Sequence, residues 1–599
     1  MSSAYDNYLD NVNKYNSMIE NHDISIKRIS YMRLMTFVIG FGTSAYTLFW
    51  VKAYSTSFIE FLITLFIFTY LVFKHDNEIK VRKYLCALRE VNEKGIKRLN
   101  GEWKSFADNG AEFNNINHRY SNDLDIVGGN SLYQYMNSTA TFTGRHVLKN
   151  RLLNPLKKSS EIKMTQQALK EMAENLEWRQ AFEAKGIVSK QKSVDPEELF
   201  KWGSRKNELY TNRYLIYGVR ILPLITIALY VCYFTRIISI HVPGILTIIQ
   251  LIILFAGAGE RREAFDSIYK YKESINVYYE MLKQIDESKF KSEYLIKLKE
   301  NLADGKSDDA VNAIKKLSKI YDKLSDRNNA IFIIINILLL WDYQCMIEFE
   351  KWKSDNGCRL KKWLDTIGEF EALSSISNII YENPEWTMPI ISEKKNVIKA
   401  EKIGHPLLNN RVCNNITIDN NRSILLITGS NMSGKSTFLR TLGINLILSY
   451  IGCSVCAGKF ECSIMDVFTC MRISDDLENN ISSFYAEILR VKMVVESTKN
   501  NENVFFLLDE LFKGTNSKDR HAGAEALIKQ LGNKGACGLV STHDLELSSL
   551  EYEYDKVKNY HFEEYYEDNK LKFDYKIREG VSTTSNALYL IKMVGIEVK

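Results

Sequence analysis

Seven prolines in 599 residues leave this chain few hard breaks. Proline removes a helix donor and clashes with the preceding turn, so its scarcity favours long helices. The exception is Asn383-Pro384-Glu385-Trp386-Thr387-Met388-Pro389, which reads as a loop before the C-terminal domain. Charge of one sign is also lacking: 78 Lys+Arg against 73 Asp+Glu give a net +5. That balance permits contact with nucleic acid or anionic lipid without demanding either. No cleavable signal peptide is expected, and there is no low-complexity tract and no repeat beyond two apolar hairpins. Ten cysteines are scattered, and the tightest group is Cys453, Cys456, Cys462 and Cys470. Its second pair is spaced too widely for a usual zinc knuckle, so free core or incidental thiols are expected. A chain of this length is expected to form about four domains, with ample material for several cores.

What is present begins with a polar, helix-prone stretch over 1–30. Two apolar runs follow, 34–51 and 57–73, joined by the short link 52–56. Each is about the minimum length for a bilayer span. Lys27, Arg28 and Arg33 precede them, and Lys74, Lys80, Arg82 and Lys83 follow. The excess of cations at the outer ends puts both ends in the cytoplasm and the link outside. A buried hairpin of a soluble domain is the competing reading, because Glu60 sits inside the second run. A second pair, 215–234 and 238–258, has the same flank polarity: Arg205, Lys206 and Arg213 before, Arg261 and Arg262 after. Arg220 and His241 lie near enough to the run ends to snorkel. The third apolar stretch, 330–341, is short and carries Asn336, which predicts a buried core helix rather than a span. Residues 76–103 predict a mixed-charge helix, 161–182 an amphipathic one, and 262–323 a long charged one rich in tyrosine. That last helix is expected to be solvated and packed along one stripe, rather than to bind nucleic acid.

The chemistry concentrates near the C-terminus. Gly429-Ser430-Asn431-Met432-Ser433-Gly434-Lys435-Ser436 fits the phosphate-loop pattern G-x-x-x-x-G-K-[ST]. Residues 423–428 predict a buried strand before it, and Phe438, Leu439, Leu442, Leu446 and Ile447 an apolar helical pattern after it. Strand, loop and helix in that order aim backbone N–H groups and the positive helix end at polyphosphate. Lys435 is expected to reach the β- and γ-phosphates and Ser436 to hold Mg²⁺. Residues 504–508 predict a second strand, ending at Asp509 and Glu510. Asp509 is placed to organise Mg²⁺, and Glu510 to polarise the attacking water. Residues 535–542 predict a third strand that ends at His543, where an imidazole can hold the water and sense the γ-phosphate.

These segments carry a resemblance. Residues 428–437 resemble the phosphate loop of the MutS family of DNA mismatch-repair ATPases, members of the ABC ATPase class. Tyr450-Ile451-Gly452 and Arg472-Ile473-Ser474-Asp475-Asp476-Leu477 are similar to the family's next two signatures. Asp509-Glu510-Leu511-Phe512-Lys513-Gly514-Thr515-Asn516 resembles its Asp-Glu segment, and Ser541-Thr542-His543 its switch. Upstream, Gly404-His405-Pro406-Leu407-Leu408 resembles the lead-in to the ATPase domain. Residues 143–156, from Thr143-Gly144-Arg145-His146 to Asn154-Pro155-Leu156, resemble the start of the helical core. The resemblance implies an ATPase that works as a pair, each nucleotide sandwiched between two copies and closed by a partner serine, here Ser482 or Ser483. Where the family has glycine and a polar residue, this chain has Asn480 and Ile481, which implies slower or looser closure. No mismatch-reading domain or Phe-x-Glu wedge is found near the start, so mismatch recognition is not carried over. The second hairpin falls where the family's levers carry a DNA clamp. Residues 586–596 resemble the first half of the family's dimerisation motif, and the chain stops at Lys599, which leaves dimerisation through that element open.

The expected organisation is a multidomain chain of transmembrane α-helical hairpins, an all-α lever and core domain, and a C-terminal α/β P-loop ATPase domain of ABC type. The segments are 1–30 (polar helix), 31–75 (first hairpin), 76–125 (helical connector), 126–210 (core, first part), 211–260 (second hairpin), 261–395 (lever and core, second part) and 396–599 (ATPase). Gly429, Ser430, Asn431, Met432, Ser433, Gly434, Lys435, Ser436 and Thr437 are expected to bind ATP with Mg²⁺ on Ser436 and Asp509, while Lys435, Glu510 and His543 act in hydrolysis. A homodimer through the ATPase domains is expected, multi-pass in the cell (inner) membrane with the ATPase in the cytoplasm. Two functions remain: ATP-coupled binding of mismatched or structured DNA, or an ATP-driven mechanical switch on a membrane or protein partner.

Overall fold

The computed structural model describes residues 2–188, 194–303, 309–324, 330–472, 483–499, 503–567 and 570–582. The chain is mostly helical up to Glu382 and α/β after it. The first helix, Ser2–Met35, continues through a π-helical turn, Thr36–Phe41, a short α-helix, Gly42–Tyr46, and a second π turn, Thr47–Val51. It folds back into Tyr54–Leu99. The expected segment boundaries at 30 and 75 thus fall inside continuous helix. The two helices zip along their length: Asn11 donates to Asn92 Oδ1 at 3.2 Å, His22 Nδ1 meets Glu78 at 2.6 Å, and Ser44 and Ser57 exchange hydroxyl-to-carbonyl bonds. Gly40 is required at the crossing, since a Cβ there would lie 2.5 Å from Thr64 Cγ2. Glu60, the residue that argued for a soluble hairpin, accepts from Thr47 Oγ1 at 2.9 Å.

This hairpin is not a buried core element. In the most apolar windows of its two helices only 6% and 17% of residues are buried, and Phe66, Phe58 and Ile63 face outward. Exposed tyrosines at 31 and 70 mark one end of the apolar band, and Tyr46, Trp50 and Tyr54 mark the other. The second hairpin consists of Arg213–Phe234 and His241–Phe255, again with isoleucines and leucines facing out. Three described helices are long and apolar enough to cross a membrane, or up to five if each bent pair counts as one span.

Two expectations are corrected here. The stretch 262–323 is not one helix but four: Ala258–Tyr269, Lys272–Glu287, Glu293–Glu300 and Ala310–Leu324. One break comes from a distant residue. The Glu171 carboxylate accepts from the backbone N–H groups of Lys291 and Ser292 at 2.7 and 2.6 Å, satisfying donors at the start of Glu293–Glu300. The apolar stretch near 330 forms the helix Ala330–Leu339, yet Ile333 and Ile334 are 58% and 59% exposed, so it is not a core helix.

The helical body is built around Leu360–Glu382, in which Trp363, Ile367, Phe370 and Ile376 are fully buried. Its Glu371 anchors the Phe142–Leu153 helix by accepting from Ala140 N at 2.7 Å, Thr141 N at 3.0 Å and the Thr141 hydroxyl. Burial raises the Glu371 carboxyl to about 7. At the far end of the same helix, buried Glu382 pairs with Arg98 and accepts from Tyr8 at 3.0 Å, so the base of the first hairpin is tied to it.

Among the described residues ten strands follow: β1 (Ile390–Ser392), β2 (Ile398–Ile403), β3 (Asn414–Ile418), β4 (Ile424–Thr428), β5 (Lys459–Ser463), β6 (Asp466–Cys470), β7 (Val504–Asp509), β8 (Cys537–Thr542), β9 (Val557–Glu567) and β10 (Lys570–Glu579). A small sheet runs β1-β5-β2-β3, and the main sheet runs β10-β9-β4-β8-β7-β6. The main sheet is parallel from β9 to β6, with β10 antiparallel at its edge. Its inner strands β4 and β8 are buried at every position, as expected where helices cover both faces. Leu124, Leu148, Trp363, Leu439 and Leu507 belong to one continuous core, so the helical body and the α/β domain are packed together. Asp123 stitches the join, accepting from Thr469 Oγ1 at 2.7 Å and from the N–H groups of Met471 and Arg472 at 3.1 and 3.0 Å.

Candidate functional site

The site lies at the C-terminal ends of β4, β7 and β8, where a parallel sheet leaves a crevice. β4 is buried at all five positions and stops at Thr428. Gly429 and Gly434 then take φ values of +148° and +103°, which a side chain would strain. A Cβ on Gly429 would sit 2.9 Å from Ser433 Oγ, and one on Gly434 3.0 Å from Tyr575 Cδ1. The loop is braced from within, Ser433 Oγ donating to Ser430 O at 2.8 Å, and from outside, Ser430 Oγ donating to Glu564 at 2.7 Å. The helix Lys435–Tyr450 begins directly after it, as the spacing of Phe438, Leu439 and Leu442 predicted.

Lys435 is 4% exposed. Its ammonium donates to the carbonyls of Gly429 and Ser430, both at 2.8 Å, and lies 3.3 Å from His543 Nε2. Burial lowers its pKa, while the carboxylates of Glu510, Asp509 and Glu564 oppose that shift. His543 Nε2 stands 2.7 Å from Glu510 Oε1 and 2.8 Å from Asn431 Oδ1. Glu510 also meets Lys513 Nζ at 2.7 Å, and its φ of +53° turns it off the strand. The hydrogen bond from His543 is the main reason its carboxyl falls to about 2, with burial opposing and Lys513 assisting. Asp509, at the last position of β7, accepts from Ser541 of β8, its register partner.

Four residues from three separate stretches therefore converge: Asn431, Lys435, Glu510 and His543. Asn431, Lys435 and Glu510 line a cavity of ≈ 410 Å³ together with Ser430, Met432, Ser433, Gly434, Ser436 and Thr437, whereas Asp509 and His543 are not part of that lining. Ser483 opens the helix Ser483–Lys499 and is not part of that lining. Phe484 beside it packs against Gly514, and Glu487 accepts from Phe512 N, tethering the helix start to the turn after Glu510. Ser482, Asn480, Ile481, residues 473–477 and residues 586–596 lie outside the described residues. Tyr450 is structural, its hydroxyl donating to Ser463 O at 2.7 Å. Cys453, Cys456 and Cys462 are buried, with thiols pushed up to about 12, 11 and 12, and burial raises Cys470 too. Such thiols are poor metal ligands, in line with a core role.

Sequence reasoning missed the opposite wall. His405, Arg411, Asn414, Phe562 and Tyr575 also line the cavity. Asn414 holds β10 against β3, donating to Tyr575 O and accepting from Ile577 N, both at 3.0 Å. This is where β10 shifts register against β9 and Tyr575 adopts φ +54°. Burial drops His405 to about 4, so this imidazole is neutral. A histidine in the Gly-His-Pro lead-in was the available signal; the tyrosine on an edge-strand irregularity had none.

Comparison with known proteins bears on this half of the chain. The family model for MutS domain V matches residues 425–599, which include the loop, both acids and His543. "DNA mismatch repair protein MutS" of Listeria monocytogenes serotype 4a (strain HCC23) is 33% identical over 261 residues, 42% of this chain and 30% of the relative. The proteins of that name from Geobacillus sp. (strain WCH70) and Bacillus cereus (strain B4264) are each 32% identical, over 262 and 244 residues. The C-terminal part of the chain carries the MutS family's domain V. The chain spans about a third of the length of the curated relatives it matches.

Proposed function

We propose that this protein is a MutS-family ATP hydrolase of the ABC class, anchored in the cell (inner) membrane by its two hairpins with the nucleotide domain in the cytoplasm. The observation that carries the reading is the convergence of Lys435, Asn431 and Glu510 on one cavity at a glycine loop, with His543 in contact with all three. The cavity suits a nucleoside triphosphate: a buried cation and a helix N-terminus meet the phosphates, and the wall of His405, Phe562 and Tyr575 offers flat surfaces to a base. Ser436 and Asp509 are the oxygen donors that would hold Mg²⁺, a hard cation that neutralises charge on the phosphates. Lys435 would leave the Gly429 and Ser430 carbonyls to bind phosphate. Glu510 would orient and polarise the attacking water once His543 no longer occupies its Oε1, and His543 would report the state of the γ-phosphate. Ser482 or Ser483 would close the site of a second copy in a homodimer.

For what the ATPase acts on, the relatives' printed name supports DNA. The reading is ATP-coupled binding of mismatched or structured DNA through the helical body. A second reading has its own observation: the tips of that body run into the apolar helices Arg213–Phe234 and His241–Phe255, which favours a mechanical switch acting at the membrane or on a protein partner. One titration separates them. Binding of duplex, branched and mismatched DNA to the full-length protein in neutral detergent, with and without ATP, should weaken steeply with salt if phosphate contacts exist. Nucleotide-dependent change near Arg213 and Arg261 without any DNA affinity would select the switch.

A further inference from the structure

We propose that the helix Ala330–Leu339 is itself a membrane element, a half-length helix whose outer face meets the acyl chains of the leaflet that the second hairpin enters. This rests on the membrane reading above and adds a third member to that anchor. Ten residues of helix reach about 15 Å, half of a bilayer's hydrocarbon thickness of about 30 Å. Ile333 and Ile334 point away from the protein while Phe332 turns in against it. The helix packs on both helices of the second hairpin, so its apolar face continues theirs.

Two of its polar groups find partners within the protein, as a lipid setting requires. Gln250, fully buried in the second hairpin helix, donates to Leu338 O at 3.3 Å, where a helix end would otherwise leave a bare carbonyl. Asn336, the one polar side chain among residues 332–339, accepts from Asp342 N at 3.0 Å. The chain then turns sharply: Leu340 takes φ +50°, and the axis bends by 73° into the helical stretch that begins at Trp341. Side chains from neighbouring segments brace the elbow. Trp341 Nε1 donates to Lys323 O at 3.2 Å. Tyr343 donates to Ile253 O and Ala256 O at 2.9 and 3.1 Å, at the end of the second hairpin helix. The Arg261 guanidinium lies 4.2 Å over the Tyr343 ring. Tyr343 and Arg261 are both buried, so they lock the elbow to the second hairpin, and half-buried Trp341 is the aromatic side chain left near the surface. From this elbow, Trp341–Asn356 and Leu360–Glu382 lead to the loop before β1, so the lipid contact and the nucleotide domain are joined by one helical path.

The test places the photoreactive residue p-benzoylphenylalanine at Ile334, Phe66, Ile252 or Tyr552 of the full-length protein in nanodiscs of phosphatidylcholine and phosphatidylglycerol. Adducts are read by mass spectrometry. Phe66 and Ile252 report the hairpins, and Tyr552, exposed on the nucleotide domain, reports water. The proposal expects lipid adducts at Ile334 comparable with those at Phe66 and Ile252, and none at Tyr552. Lipid adducts at both hairpin sites with none at Ile334, or crosslinks from Ile334 to a second copy, would overturn it while leaving the anchor intact. Absence of lipid adducts at Phe66 and Ile252 as well would overturn the membrane reading and this inference with it.

Discussion

Replacing Glu510 with Gln changes one charge and almost no shape. Glutamine can still accept from Lys513 and stay beside His543, so the loop and the ends of β7 and β8 are expected to hold. What disappears is the carboxylate. In the wild type its carboxyl sits at about 2 rather than the ordinary 4.5, so it is fully ionised near neutral pH. A folded pKa below the unfolded one stabilises the fold above the unfolded value, and that stability fades only as pH falls toward about 2. Between pH 6 and 8, therefore, Glu510 should impose no titration on turnover. Losing it should slow turnover by roughly 10²-fold or more, about 2.7 kcal/mol of barrier, with nucleotide binding retained. Lys435→Ala should do the opposite, weakening binding itself. Single-turnover hydrolysis and equilibrium nucleotide binding on the full-length protein separate the two. A Glu510→Gln protein that hydrolyses ATP at the wild-type rate would refute the assignment.

Three further outcomes follow from contacts elsewhere. Arg98→Ala leaves the Glu382 carboxylate buried without its cation, and should cost about 3–5 kcal/mol, read as a lowered unfolding midpoint in detergent; an unchanged midpoint would contradict the pair's role. Gly40→Leu should force the first hairpin apart, because even a Cβ there meets Thr64, and should abolish the S44C–S57C disulfide that the parent hairpin is expected to form. His405 is held neutral at about 4 instead of 6.5, so its contribution is complete above 6.5 and is lost as pH falls toward 4. At pH 5 that amounts to at most about 2 kcal/mol, which His405→Gln should remove from the acid limb of a stability profile.

The nucleotide half was legible because its signals are local. A glycine that must take positive φ, an apolar strand before it and an apolar helix after it all sit within thirty residues, and Asp509 and His543 mark the ends of two more strands. The opposite wall was hidden because it depends on pairing: Tyr575 reaches Gly434 only through the irregular β10–β9 register. The helical part divided the same way. Helices such as Ser159–Glu174 showed their stripe in sequence, whereas the break before Glu293–Glu300 depends on Glu171, more than a hundred residues away. For the stretch near 330, neither its shortness nor Asn336 says whether an apolar helix faces protein or its surroundings.

The most direct measurement is Mg²⁺-dependent ATP hydrolysis by the full-length protein recovered from the membrane fraction after an alkaline wash. The account predicts that the protein stays with the membrane and hydrolyses ATP, and that Lys435→Ala stays with the membrane but is inactive. Release of the protein into the wash, or hydrolysis that survives Lys435→Ala unchanged, would contradict it.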